Sequence, residues 1–509
     1  MISQPKRVIR LHPADNILVA LEDLEAGAVF TEGPAKARDN IPAGHKIAVD
    51  RIDTGRPVYK YGQIIGAAAQ DILSGQHVHV HNLAFADFKR ESAPVLAQTE
   101  AVRVSDRDQA TFEGIVRADG RVATRNYIGV LSTVSCSASV AQFIASAVNQ
   151  DLLARYPQVD GVMAITHGSG CCQAPGSEGL EILQRTLAGF ARHANFGGIL
   201  LVGLGCETNL VENLMEAQGL ETSTALQPLT IQTSGGTRAT VEKGVAAIAA
   251  MLPQVNQVTR QSVSARHLVL GMECGGSDAY SGITANPALG MAADLLVQQG
   301  GTAILSETPE IYGAEHLLTQ RAANPAVAEK LLQRIKWWEE YTSGHGCTIN
   351  NNPTPGNKAG GLTTILEKSL GAVAKGGSTQ LMDVYRYAEP VTSRGLVFMD
   401  TPGYDVVSIT GMIAGGANMI CFTSGRGTVC GFKPVPTLKL ASNSSMFRQL
   451  QDDMDINCGL VAAGDTTLEE MGRQIFDRIL EVASGAPAKS EELGFGDHEF
   501  VPWHLGAVL

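Results

Sequence analysis

Long apolar runs are absent from this chain. No stretch approaches the roughly 18–20 residues that a membrane-spanning helix needs. The opening Met1-Ile-Ser-Gln-Pro-Lys-Arg-Val has no apolar core of the kind a signal peptide carries. A cytoplasmic location is the expectation. Basic excess is absent too: 39 Lys and Arg face 51 Asp and Glu, a formal net charge of −12. That balance argues against nucleic acid or an anionic membrane as partner, because both want a basic face. It leaves room for a small anionic substrate, since a local group of Arg and Lys can oppose the global sign. The cysteines number nine, an odd count with no CxxC pair. That pattern favours free thiols or metal ligands over disulfides or a zinc-finger spacing. Gly203-Leu-Gly205-Cys-Glu-Thr208 carries threonine where a dinucleotide fingerprint has its third glycine, and no Walker A sequence exists. Nicotinamide- and ATP-dependent chemistry are therefore disfavoured.

What the chain has is length and a change of rhythm. Its 509 residues, 44% of them hydrophobic, correspond to about three globular domains. Within 1–85 the apolar runs are short and β-like: Val8–Leu11, Ile17–Ala20, Ala28–Phe30, Lys46–Val49, Pro57–Tyr61 and His77–Val80. Turn residues separate them, which predicts a compact all-β module. Residues 86–110 read as a polar linker. From Thr111 onward, strand-like runs alternate with helix-length amphipathic ones such as Ala138–Leu153, Glu178–Arg192, Arg238–Met251 and Thr467–Ala483. Alternation of this kind predicts an α/β body built on parallel sheets. A polar stretch without clear period, Gln254–Ala265, divides that body into a middle domain, 111–255, and a C-terminal domain, 265–509.

One pattern recurs inside the body. Tyr127–Val134 runs into Ser135-Cys136, and Val159–Met163 leads to a Gly-rich turn bearing His167, Cys171 and Cys172. Gly197–Leu204 runs into Gly205-Cys206-Glu207, and His267–Met272 into Glu273-Cys274-Gly-Gly-Ser-Asp278. The C-terminal ends of parallel strands share one edge, and ligands gather there. Cys136, His167, Cys171, Cys206 and Cys274 are thus expected nearer in space than in sequence. Thiolate and imidazole suit iron or zinc; the plainer alternative is that these are buried apolar thiols. Cys172, Cys347, Cys421, Cys430 and Cys458 read as packing.

Three stretches suit anions. Arg121–Asn126 precedes a strand, Pro355–Gly361 places Lys358 in a Gly-rich turn, and Thr423–Thr428 places Arg426 in another. Glycines let backbone N–H groups approach oxygen ligands and the cation supplies charge; a solvated loop with an incidental cation is the alternative. Asp278, in the oxygen-rich Glu273–Asn286, suits a hard cation or a polyol. His77-Val-His79-Val-His81 alternates, so its imidazoles should project from one strand face, as a metal site, a proton relay or an exposed polar face would have it. Gly44-His45-Lys46 at a turn is another acid/base pair.

Together these residues resemble a known family. Gly44-His45-Lys46, Lys60-Tyr-Gly62 and His77–Asn82 resemble the SAF (β-clip) domain at the N-terminus of altronate dehydratases. His167-x-x-Gly-Cys171, Gly203–Glu207, Glu273–Asp278, Asn352–Lys358 and Ser424–Thr428 look like the body of the family that joins altronate and galactarate dehydratases with sulfolactate sulfo-lyases. The likeness spans nearly the whole chain. It departs at Ser169, where the family pattern has an aromatic residue, a change in a pocket wall. His77–Asn82 and Tyr312-Gly-Ala-Glu-His-Leu-Leu stand nearer the altronate branch.

The resemblance implies a Rossmann-like parallel-sheet body behind the β-clip, and an iron-dependent lyase. Fe(II) is the cofactor expected, with Mn(II) or an iron–sulfur cluster as alternatives. It further implies a small sugar acid as substrate, D-altronate before galactarate, and a homodimer. A non-catalytic protein that binds sugar acid or metal is the alternative from another class. Dehydration removes the C2 proton and the C3 hydroxyl, and the enol relaxes to a 2-keto-3-deoxy acid. Such chemistry needs a cation for the enediolate, a base within about 3 Å of the proton and an acid or Lewis acid for the leaving hydroxide. Cys136, Cys171, Cys206 and Cys274 are expected to hold the metal. His167, His45 and Lys46 are expected to carry protons. Arg125, Asn126, Asp278, Lys358 and Arg426 are expected to clamp carboxylate and hydroxyls.

Overall fold

A computed structural model describes residues 7–506 apart from 31, 34, 35, 87–102, 106 and 149. Most of the expected linker lies outside the described residues. The N-terminal module is all-β. A four-stranded antiparallel sheet joins Val8–Ile9, Ile17–Ala20, Lys46–Ala48 and His77–Val78, and a second sheet joins Pro57–Lys60, Gln63–Ala68 and Leu83–Ala84. The expected strand at Ala28–Phe30 does not form. The one expected at His77–Val80 stops at Val78, where the chain turns.

The body contains two parallel sheets. The middle domain has four strands in the order Gly161–Ile165, Tyr127–Ser132, Phe196–Gly203, Leu226–Thr230. The C-terminal sheet has seven, in the order Leu381–Tyr385, Gly395–Met399, Thr302–Leu305, Val269–Cys274, Met419–Ser424, Thr437–Ala441, Ile456–Asn457. Tyr127–Ser132 and Gly395–Met399 are buried at every residue, as strands covered on both faces by helices must be. This is the mixed α/β architecture that the alternation implied, with the Rossmann-like parallel sheet that the family resemblance implied. The polar Gln254–Ala265 was expected as a break in pattern. It instead contains the strand Arg260–Ser264, antiparallel to Thr111–Val116, in a small three-stranded sheet. Its exposed polar side chains concealed it from a periodicity reading. No helix among the described residues is long and apolar enough to cross a membrane.

In the seven-stranded sheet the chain moves from Val269–Cys274 outward on one side, then returns to start the other side at Met419–Ser424. Those two neighbours flank the reversal of strand order, and a crevice opens past their C-terminal ends.

The β module is bolted onto this edge by one buried carboxylate. Glu367 begins the buried helix Ile365–Val373, and both its oxygens are fully enclosed. Lys46 Nζ donates to them at 2.9 and 3.0 Å, and Lys60 Nζ donates at 2.8 Å. Thr363 adds bonds from its N–H at 3.0 Å and its hydroxyl at 2.6 Å. Lys46 also donates to Gly361 O at 2.6 Å. Gly361 adopts φ +98°, and a Cβ there would stand 2.8 Å from Gly44 O, so only glycine lets the two backbones approach. Against the cost of burial, the two ammonium groups hold Glu367 well below the usual carboxylate range. Burial pushes Lys46 down to about 8.

Replacing Glu367 by Gln leaves two buried ammonium groups without a counter-charge and should cost about 3–5 kcal/mol; chemical denaturation reads it. The sign with pH follows from the depressed value. The stabilisation is complete above the unfolded carboxylate pKa of roughly 4.3 and is lost as pH falls toward the lower folded value. Loss of stability on acidification should therefore be shallower in Glu367→Gln than in the wild type.

Candidate active site at the strand-order reversal

Strand ends deliver the first group of functional side chains. Val269–Cys274 ends in Glu273 and Cys274, and Thr302–Leu305 runs through Ser306 into Glu307. Glu307 lies in the left-handed region at φ 69°, an uncommon position for a non-glycine residue. The turn that follows brings in Glu310. Lys375 Nζ donates to Glu307 Oε2 at 2.8 Å, and Lys368 Nζ donates to Glu310 Oε1 at 2.6 Å and to Asn352 Oδ1 at 2.7 Å. The Cys274 thiol stands 3.4 Å from Glu307 Oε2 and 3.5 Å from Glu310 Oε2. One donor atom each of Cys274, Glu307 and Glu310 lies within 4.8 Å of the others, and the same holds for Glu273, Glu307 and Asp405. Asp405 opens the helix Asp405–Ala414 and presses against Gly275, where any Cβ would collide with its carboxylate.

Four carboxylates thus meet two lysines in a buried space. Glu273 is pushed well above its ordinary value by burial and by Glu307. Asp405 is pushed up to about 7 by burial and the charges of Glu307 and Glu310. Lys375 holds Glu307 below its ordinary value although burial opposes it. Glu273 Oε1 and Glu307 Oε1 are buried with no hydrogen-bond partner.

The second group forms a cavity of about 580 Å³ lined by Arg7, Asp278, Tyr280, Gly360, Arg426 and Asn443 among others. A Cβ on Gly276, the residue after the Gly275 that meets Asp405, would stand 3.2 Å from Arg426 Cβ. Asp278 Oδ1 accepts from Ser281 N, Ser281 Oγ and Ser442 Oγ at 2.8, 2.9 and 2.7 Å. Its Oδ2 accepts from Asn443 at 3.0 Å. Arg7 donates to the carbonyls of Ala462 and Ala463. Arg426 is exposed at the rim, with the turn Gly276 against its Cβ. A larger cavity, about 830 Å³, lies at the opposite edge, where Val269 and Thr302 begin their strands, remote from the carboxylates. Chemistry, not size, selects the smaller one.

Asp278 and Arg426 line the same cavity, and Lys358 lies half-exposed on the short helix Pro355–Ala359, whose last residue also lines it. Other expectations are corrected. Arg125 is buried, forms a bidentate pair with Glu491 at 2.7 Å and donates to the carbonyls of Thr124, Val482 and Ala486. Asn126 donates to Gln158 O and Val255 O. Both precede a strand, so they sit at the edge away from the crevice and hold elements together. His167 is buried, with Nε2 at Ser132 O and Nδ1 accepting from Ser169 N–H, so neither nitrogen is spare. Lys46 is enclosed with Glu367. His45 Nδ1 faces His77 Nε2 at 2.9 Å and its Nε2 faces Ala359 O at 3.3 Å.

The expected union of four thiols is also corrected. Cys136, Cys171 and Cys206 do follow neighbouring strands of the middle sheet, and their turns are knitted by Ser135 N to Ser169 O and Asn209 N to Gly170 O. Cys206 accepts from Gln232 at 3.3 Å, and Cys171 lies 3.6 Å from Cys172. Cys274 belongs to the other sheet and is buried among carboxylates. The same strand-end grammar applied to carboxylates would have found Glu307. Lys368 and Lys375 left no signal, because nothing in a helix's sequence announces a buried lysine.

Residues 265–508 match the D-galactarate/altronate dehydratase C-terminal model, 114–256 the D-galactarate dehydratase/altronate hydrolase second-domain model, and 6–86 the altronate/galactarate dehydratase SAF-domain model. The chain belongs to the altronate/galactarate dehydratase family. Altronate and galactarate dehydratases are hydro-lyases. Galactarate dehydratase (L-threo-forming) of Escherichia coli strain K12 is 36% identical over 485 residues, 94% of this chain and 92% of that protein. Altronate dehydratase of Bacillus subtilis strain 168 is 34% identical over 496 residues, 96% of this chain and 97% of that protein. Altronate dehydratase of E. coli strain K12 is 34% identical over 492 residues, with the same coverage, 96% and 97%. Identity to the two kinds of dehydratase is nearly equal, so it does not choose between their substrates.

Because Arg125 is a structural tie, Arg125→Met should lower stability by about 3 kcal/mol, the cost of stranding a buried partner. The Michaelis constant should stay within about twofold, since no substrate contact is removed. A melt and a substrate titration on the same preparation check both.

Proposed function

We propose that this dehydratase acts on an aldonate, D-altronate, removing the C2 proton and the C3 hydroxyl as water to leave a 2-keto-3-deoxy acid. One observation carries the reading. Consecutive glycines of one turn at the reversal of strand order, Gly275 and Gly276, meet Asp405 of the buried group of potential metal ligands and Arg426 of the cavity. Arg426 receives the substrate carboxylate, and Asp278 accepts a hydroxyl hydrogen bond on Oδ2. Of the two arginines lining the cavity, Arg7 is engaged with Ala462 and Ala463, which leaves Arg426 as the partner for a carboxylate. One such cation supports a substrate with one carboxylate over an aldarate with two.

Cys274, Glu307 and Glu310 would hold a divalent ion, Fe(II) or Mn(II). Lys368 and Lys375 offset two of the four carboxylates, and the orphaned oxygens of Glu273 and Glu307 are the partners such an ion would satisfy. When bound, the ion supplies Lewis acidity toward the enediolate and the departing hydroxide. Asp405 takes the C2 proton on its carboxylate from across Gly275. Lys368 holds Glu310 and Asn352 in place. A cluster on all four thiols is disfavoured, because Cys274 stands in a different sheet from the other three.

The test is an anaerobic assay of D-altronate and galactarate for 2-keto acid, with ferrous ion added or chelated. Altronate should turn over, chelation should abolish the rate, and ferrous ion should restore it. Asp405→Asn should lower kcat by about 10²–10⁴, the range of general-base catalysis. Arg426→Met should raise KM by about 10- to 100-fold, the worth of a charged hydrogen bond. Preference for galactarate would move the substrate, and saturable binding without product would make the protein a binder. A rate that survives Glu310→Gln but is lost in Cys206→Ser would move the metal to the middle domain.

A further inference from the structure

A second concentration of ligands lies outside this chemistry, on the β module. His45 sits at the turn before Lys46–Ala48, and His77 begins the strand paired with it. Their rings meet those of His79 and His81. Ring centroids stand 4.7 Å apart for His45 and His79, 5.1 Å for His45 and His77, and 5.4 Å for His77 and His79. His81 is 5.3 Å from His77.

We propose that His45, His77 and His79 form a site for a borderline divalent transition ion, zinc or ferrous iron, at the seam between the β module and the body. One nitrogen from each of the three lies within 4.8 Å of the others. Nitrogens bound at about 2.0–2.1 Å to a common ion stand roughly 3–3.5 Å apart, and His45 Nδ1 and His77 Nε2 face each other at 2.9 Å. The outer contacts have the form a metal-bound histidine takes. His45 Nε2 lies 3.3 Å from Ala359 O, so this nitrogen carries the proton and Nδ1 presents its lone pair. His79 Nδ1 is buried with no hydrogen-bond partner. The backbone is pinned as well. Asp39 accepts from His77 N at 2.9 Å, and Asn82 bridges His79 N at 2.9 Å and His77 O at 2.8 Å. His77 and His79 are half-buried, so the ion keeps a side open to solvent. Ala359 touches His45 and lines the substrate cavity, so the ion would also tie the module to the wall of that cavity.

The experiment uses the full chain stripped by chelation and titrated anaerobically with Co(II), reading bound ion per chain and the ligand-field spectrum. Metal binding is the readout, so the outcome is independent of whether altronate is dehydrated. Wild-type protein should show a nitrogen-ligated cobalt spectrum, and X-ray absorption should show imidazole scattering. His79→Ala should remove that signal, lower affinity for one ion by more than about 100-fold and retain the cobalt–thiolate band of Cys274. Glu310→Gln should do the reverse. His45→Gln serves as a second variant should His79→Ala unfold, and circular dichroism monitors both. An unchanged cobalt count and spectrum in the folded histidine variants would overturn the proposal, as would a wild-type spectrum without imidazole.

Discussion

One buried carboxylate governs how the parts of this enzyme meet. Glu367 lies on a helix of the C-terminal domain, yet its two ammonium partners, Lys46 and Lys60, come from the β module. Two charges of one sign around one of the other, all out of water, tolerate little displacement, because any shift exposes an uncompensated buried charge. The contact thus fixes the register between module and body. It brings the His45 turn against Ala359 and Gly361, and Tyr280 against the module at Ala20 O, 3.3 Å away. From the same module, Arg7 and Ala43 line the cavity.

The body contributes the other half of the site through topology. Strand order reverses between Val269–Cys274 and Met419–Ser424, so the turns after them part and leave a crevice. Carboxylates delivered there are too many for the two lysines beside them, and burial raises the cost of that imbalance. The raised positions of Glu273 and Asp405 express the same imbalance as proton uptake, which a divalent ion would replace. The left-handed backbone at Glu307 is a local cost accepted to aim its carboxylate at Cys274.

A residue's location was legible in the sequence where it follows from its place on a strand. Cys136, Cys171 and Cys206 do share an edge, and Asp278 and Arg426 do share a cavity, because the ends of parallel strands converge. A residue's location was not legible where it depends on which edge or which sheet the residue occupies. Arg125 precedes a strand rather than following one, and this placed it opposite the crevice, paired with Glu491. Cys274 follows the same rule as the other thiols but on a separate sheet, and nothing in its local sequence states which sheet that is.

Composition, strand–helix alternation and the family motifs determined by themselves the β module, the α/β body and the class of reaction, because these are local or periodic properties written along the chain. Tertiary structure alone decided that Glu307, Glu310, Lys368, Lys375 and Asp405 gather around Cys274, and that Glu367 couples module to body. The physical reason is that a charge buried far along the chain from its counter-charge has no sequence period. It becomes recognisable only when folding removes water and leaves each charge to its neighbours.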